Sequence, residues 1–455
     1  MGARLTESDL YAHLWGTEEL RAVFDERARL QGWLDVLAAL ARAQAKLGII
    51  PTESADAITD LATVDRLDLD FVAEETRRTS HSTLGLIRGL QRVLPPAAAE
   101  HVCLGTTVHD VTDTWTVLAL RHVGRVVWRD LGAVEGLLLD LAERHRDTVM
   151  VGRTHGQPGA PITFGFKAAS WADEVRRHLD RLADGRRRWL VGQLGGAVGV
   201  LGFFGTDGPA LRSAFCTDLA LDDPGISWLT SRDRLAEVVS VFTMITGTLA
   251  RIGNEVLELQ RPEIGELREP TTPDVVGSIT MPHKRNPERS EHLDTLARLV
   301  RAQAGVLMEG MVQSHERDSR GWKAEWVALP EVCLLTGAAL ATAIDLLTGL
   351  EVDAAAMAAR VGPEAASEQV LAVLTARLGR HRAQEALHAA LQPGAGGAGG
   401  AAPSLVDAVV GAGLLTAAEV AGLVAEPAVE GAVAMVDEVV RRGRAARAAD
   451  RPPWA

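Results

Sequence analysis

Ser278, Lys284 and Asn286 fall within nine residues of one another in a stretch that runs from Gly277 to Pro287, and Glu291 follows. Their types suit one kind of chemistry. Lysine brings a cation, asparagine a neutral donor, and a Gly/Pro-rich loop leaves backbone N–H groups free. Together these suit a carboxylate, or a carboxylate that gains negative charge in a transition state. An ordinary basic surface loop has the same composition. A second segment, Gly152-Arg153-Thr154-His155-Gly156-Gln157, places a histidine in a Gly-flanked turn. Alone, such a histidine is more often a structural hydrogen-bonder than a catalyst. A third, Gly105-Thr106-Thr107-Val108-His109-Asp110, has the residue types of a helix N-cap.

The order of the residues decides between these readings. Gly277 to Glu291 resembles the signature G-S-S-x-x-P-x-K-x-N-P-x-x-x-E of the fumarase/aspartase superfamily, with every signature position matched except the second serine, here Ile279. Gly152 to Gln157 resembles the G-R-T-H-x-Q segment of the same superfamily. Residues 105–110 look like its G-x-T-S-x-D segment, with Thr107 and Asp110 matched and Val108 in place of serine. The resemblance implies that Ser278 is the general base and that Lys284 and Asn286 hold a substrate carboxylate. It implies that Thr107, Thr154 and Gln157 contact substrate, and that His155 acts in acid/base chemistry oriented by Glu291. Histidine suits that task because its pKa lies near neutrality.

Two branches of the superfamily compete. Thr79-Ser80-His81 resembles the T-x-H segment of adenylosuccinate lyase, which implies that His81 assists leaving-group protonation. Ser231 to Arg234, Arg289 to Glu291 and His315 to Asp318 also resemble that enzyme, and extend the expected substrate contacts to Arg234 and Arg317. The plainer alternative is that Arg232, Arg234 and Arg317 form surface ion pairs of little energetic weight. Gly321 to Trp326 and Leu329-Pro330-Glu331 instead resemble 3-carboxy-cis,cis-muconate cycloisomerase. The Arg-Tyr pair that adenylosuccinate lyase uses for its nucleotide is missing, which points to a smaller substrate.

The expected reaction is an anti β-elimination from an N-substituted succinate, or from nitrosuccinate, that releases fumarate; the cycloisomerase reaction is the alternative. Ser278 takes the proton beside a carboxylate, and Lys284, Asn286 and backbone N–H groups stabilise the aci-carboxylate. His155 or His81 then protonates the leaving group. No metal or organic cofactor is required, and no metal-ligand spacing is present. A non-catalytic relative, such as the lens proteins derived from argininosuccinate lyase, would have no reason to keep Ser278, Lys284, Asn286, His155 and Glu291 together.

The elements that must position these residues are helices. Leu120, Val123, Val127, Leu131, Val134, Leu138 and Leu141 recur every three or four residues. So do Leu235, Val238, Phe242, Ile245, Leu249, Ile252, Val256 and Leu259, and a shorter series from Leu293 to Leu307. Such spacing makes one apolar stripe per helix. The expected fold is all-α: a long central helical bundle over 109–350 with smaller helical domains at 1–108 and 351–455. Short hairpins are expected near 148–165 and 192–205, a functional loop within 266–282, and a flexible Gly-rich linker at 393–403. The resemblance implies a homotetramer whose active sites draw on several subunits, and the striped helices fit it.

Composition narrows the partners. The 455-residue chain is 47% hydrophobic and 24% charged, which is a folding composition. A net charge of -13 argues against nucleic acid as a partner and leaves a small dicarboxylate-containing substrate. No basic-then-apolar leader opens the chain and no uninterrupted apolar run reaches membrane-span length, so a cytoplasmic protein with no membrane partner is expected. Cys103, Cys216 and Cys333 are far apart and read as buried, reduced thiols.

Overall fold

The computed structural model describes residues 4–271, 276–281, 283–392 and 403–454. Parts of the expected functional loop (272–275 and 282) and most of the expected linker (393–402) lie outside them. Five long helices form the body: α1 (Val108–Arg144), α2 (Phe164–Trp189), α3 (Asp233–Gln260), α4 (Glu288–Glu309) and α5 (Ser319–Thr348). Every residue named in the three stripes above is buried. α4 packs along both α3 and α5, and α1 packs along α2. The fifth helix carries no single stripe because most of its length is apolar, with apolar residues on exposed as well as buried faces, Val327 among the exposed ones. α3 and α5 have the length and composition of membrane spans, yet most of each apolar window is buried inside the fold. Their apolarity therefore serves packing.

Helix starts follow local chemistry. Thr107 and Asp110 form a capping box at the start of α1. The Thr163 hydroxyl accepts from Phe166 N–H to open α2. α4 begins after Pro287 with no side-chain cap of its own. Glu269, distant in sequence, supplies one: its buried carboxylate accepts from the N–H groups of Arg289 (3.1 Å) and Ser290 (2.8 Å). An anionic group there also matches the helix dipole.

The first expected hairpin is present. β1 (Val149–Thr154) pairs antiparallel with β2 (Gln157–Thr163), with Thr154 opposite Gln157. The two-residue turn is His155-Gly156, both at positive φ (52° and 76°), as a tight hairpin turn demands. The hairpin expected near 192–205 does not form. The N–H groups of Gly195 and Gly196 donate to the Asp110 carboxylate (2.8 and 3.0 Å), not to a partner strand, and a 3-10 helix, Gly202–Asp207, follows. Cys216 and Cys333 are buried free thiols, whereas Cys103 is half-buried and not fully enclosed as expected.

The last helix, Glu430–Ala449, returns to α1 and α2. Beyond it Trp454 is buried beside Trp189, ring centroids 5.6 Å apart, and its carbonyl accepts from Arg125. A β-carbon on Gly124 would meet the Trp454 ring at 2.3 Å, so Gly124 makes the seat. Trp454→Ala is expected to destabilise the protein by about 3–5 kcal/mol through the cavity it leaves. A denaturation midpoint at fixed protein concentration measures this.

Candidate active site

The Gly277–Pro287 stretch is fixed at its base. Asn286 Nδ2 donates to the Gly277 carbonyl (2.7 Å), closing the loop on itself. A side chain on Gly277 would meet the Lys284 carbonyl at 2.6 Å, so the closure needs glycine there. Ser278 Oγ accepts from Met281 N–H (3.0 Å), a bond that strengthens as the oxygen loses its proton. The Gln260 side chain ties the loop to α3 by donating to the Arg285 carbonyl and accepting from Glu269 N–H. A cavity of about 750 Å³ opens here, bordered by Gly277, Lys284, Asn286, Glu269, Arg289 and His13. Lys284 and the Glu291 side chain are exposed at this end of α4, and Ile279 is 93% exposed.

The second group lies at the start of α1. Exposed Arg317 donates to the Thr107 hydroxyl. Asp110, fully buried, accepts from the N–H groups of Thr107, Gly195 and Gly196 and from the Gln193 amide. Burial raises its pKa to about 6 against the pull of those donors. Arg232 is no surface residue: its guanidinium is buried between Asp113 and Glu325. Arg234 points elsewhere, donating to the Arg188 carbonyl at the end of α2 (2.6 Å). Within one chain it does not join Thr107 and Arg317.

The third group is the hairpin tip, where Thr154, His155 and Gln157 are all exposed. The strand beneath is anchored by a bidentate pair from Arg153 to the buried Glu266 (2.6 and 2.9 Å). His81 sits apart from all of these, in the turn between helices Leu69–Thr79 and Leu84–Val93. Its Nδ1 accepts from Leu84 N–H (3.2 Å) and more weakly from Thr83 N–H, which leaves the ring proton on Nε2. Glu75 braces this turn by pairing with Arg78 and Arg88, one on each helix, and those guanidinium groups hold its pKa down to about 2.

Thus one chain gathers Ser278, Lys284, Asn286 and Glu291 at one place, and Thr107 with Arg317 at another. Thr154, His155 and Gln157 form a third patch and His81 a fourth. Among the described residues no hydrogen bond or ion pair joins one patch to another. Exposed apolar residues on α3, α4 and α5, including Met244, Leu299, Val306 and Val327, lie on outward faces of the bundle. Glu269 caps the helix after the loop, Glu266 anchors the hairpin strand, and Asp113 and Glu325 flank Arg232; the sequence singles out none of the four. No local signal marks them: Glu325 stands in one stretch with Arg320, Lys323 and Glu331.

Two buried histidines make the fold acid-sensitive. Burial, with Arg232 and Arg317 nearby, lowers the His109 pKa to about 3. Burial and Arg181 lower that of His178 to about 4. The unfolded chain takes up these protons near pH 6.5, whereas the folded chain refuses them until well below. Stability is therefore present above about pH 6.5 and falls as pH drops toward 4, by up to about 1.4 kcal/mol per pH unit for each ring. His178→Gln should make denaturation midpoints between pH 7 and 4.5 visibly less pH-dependent; an unchanged slope would refute this.

Comparison with known proteins gives the family and the fold. A family model described as lyase matches residues 16–302. The N-acetyl-S-(2-succino)cysteine lyase of Dickeya dadantii is 40% identical over 391 residues, 85% of this chain and 86% of that protein. The adenylosuccinate lyase of Pyrococcus horikoshii is 39% identical over 338 residues, 74% of this chain and 75% of that protein. The crystal structure of 3-carboxy-cis,cis-muconate lactonizing enzyme from Pseudomonas putida superposes with a TM-score of 0.85 at 34% identity, covering 96% of this chain and 99% of that one. With the helical bundle and its motif-bearing loop and hairpin, these matches make the chain a member of the fumarase/aspartase superfamily of lyases.

Proposed function

We propose that this protein cleaves a 2-substituted succinate by anti β-elimination, releasing fumarate and a small thiol or amine. The observation that carries the reading is the Gly277–Asn286 loop, which carries a hydroxyl, an ammonium and an amide and borders a cavity with Lys284 and Asn286. Ser278 removes the proton beside the substrate carboxylate. The Met281 N–H and the field of Lys284 favour the ionised oxygen. One Asn286 N–H holds the loop; the other, with Lys284, meets the aci-carboxylate. Thr107 and Arg317 take the second carboxylate, with Thr154 and Gln157 completing the contacts and Arg234 available from a further chain.

His155 protonates the leaving group, with Glu291 orienting it. His81 instead donates a hydrogen bond through Nε2, because its Nδ1 already accepts from backbone. The four patches meet in a homotetramer, which covers the outward apolar faces of the bundle. The free thiols Cys103, Cys216 and Cys333 suit a cytoplasmic setting.

The leaving atom is assigned first to sulfur, from the likeness to the succinocysteine lyase, and second to nitrogen. The test incubates the purified protein with N-acetyl-S-(2-succino)cysteine, adenylosuccinate, argininosuccinate, aspartate, nitrosuccinate and 3-carboxy-cis,cis-muconate, and measures fumarate and loss of the muconate chromophore. Fumarate from one succinyl compound names the leaving group. Muconate turnover without fumarate would instead establish a cycloisomerase, the reading that the Gly321–Trp326 segment favours. Inertness toward all six would sink both.

A further inference from the structure

Among the described residues, the best-enclosed ionic cluster lies beside, not in, the groups given a chemical role above. Arg232 meets Asp113 through two nitrogens (2.8 and 3.2 Å) and Glu325 through Nε (3.0 Å) and Nη2. All three side chains are at most 5% exposed. Trp322 Nε1 donates to Asp113 (3.2 Å), and the His109 ring stacks on the Trp322 indole, centroids 4.1 Å apart and planes 20° apart. His109 Nδ1 is buried without a hydrogen-bond partner, 3.7 Å from Asp113.

Asp113 belongs to the second turn of α1, and Trp322 and Glu325 to the first two turns of α5. Arg232 stands immediately before α3. One guanidinium thus locks three helix starts. Apolar side chains could pack these helices at similar or lower cost, since burying ions forfeits their hydration. What an ion pair with two-point geometry adds is register. Thr107 immediately precedes α1, and Arg317 lies two residues before α5. A slip of α5 against α1 would therefore separate Arg317 from Thr107.

We propose that Arg232 is a positioning residue for dicarboxylate binding, acting with Asp113, Glu325 and Trp322 to hold Arg317 against Thr107. The proposal rests on the reading that Thr107 and Arg317 take a substrate carboxylate. Lysine cannot replace Arg232, because a point charge cannot span two carboxylates in a fixed plane.

The test is a double-mutant cycle on the assembled protein. Fumarate affinity is measured by calorimetry, and KM and kcat with the succinyl compound that the panel identifies. Arg232→Lys and Trp322→Phe should each weaken fumarate binding and raise KM by about tenfold, on the order of one lost hydrogen bond, while kcat stays within about twofold. In an Arg317→Ala background neither should weaken fumarate further, because the group through which they act is gone. Folded variants that bind fumarate like the wild type would overturn the proposal, as would losses that add to that of Arg317→Ala. If Arg232→Lys does not fold, Trp322→Phe, which leaves the Arg232 ion pairs in place and removes the indole N–H donor with part of the ring that His109 stacks on, decides alone. Arg317→Ala without effect on fumarate overturns the carboxylate reading of Arg317 itself, and with it this proposal. Losses for Arg317→Ala without any for Trp322→Phe overturn the positioning role alone.

Discussion

Ser278→Ala is expected to lower kcat for the fumarate-releasing substrate by about 10³-fold, within the usual range for losing a positioned base. The affinity for fumarate should change little. The reasoning is local. Among the described residues Ser278 Oγ makes one bond, as acceptor from Met281 N–H, and it is half-exposed on the loop. Removing it leaves one N–H that water can satisfy, so the fold loses little. Lys284 and the free N–H of Asn286 remain to hold a carboxylate. Rate and affinity should therefore part company. Asn286→Ala should behave differently: it removes both a carboxylate donor and the bond to Gly277 that closes the loop, so binding and rate fall together. If Ser278→Ala kept more than about a tenth of wild-type kcat, the base would have to be sought elsewhere.

That prediction uses a residue the sequence already pointed to, and the same holds for much of the framework. The apolar stripe from Leu235 to Leu259 defines α3 because burial on one face imposes a 3.6-residue period. The loop chemistry was legible because Ser278, Lys284 and Asn286 are close in sequence. What escaped is set by contacts that sequence distance hides. Arg232 meets Asp113 across 119 positions and Glu325 across 93, so an arginine that reads as a surface residue is a buried one. Glu269 caps α4 from 20 residues away, where only a local cap could be anticipated. The Gly-rich stretch near 192–205 reads as a short hairpin, but the N–H groups of Gly195 and Gly196 belong to Asp110. α5 shows no single stripe because apolar residues lie on its exposed as well as its buried faces, Val327 among them, so periodicity does not mark it.

Mixing two inactive proteins should restore activity. Ser278→Ala carries its defect on the loop that leads into α4, and His155→Asn at the tip of the β1–β2 hairpin. Within one chain these places share no bond and no cavity among the described residues, so a single subunit would not bring base and acid to one substrate. If instead each site takes its loop from one chain and its hairpin from another, hybrids contain some sites in which both are intact. Unfolding and refolding the two variants together should then yield activity that neither shows alone, rising and falling with the mixing ratio. The control is a mixture of Ser278→Ala with Lys284→Ala. Both defects lie on the same loop, and hybrids of these two chains contain no intact loop at all. Recovery in the first mixture but not the second requires sites shared between chains. No recovery in either, with hybrids verified by mass, would mean that each chain completes its own site, and the hairpin would then have to move to reach Ser278.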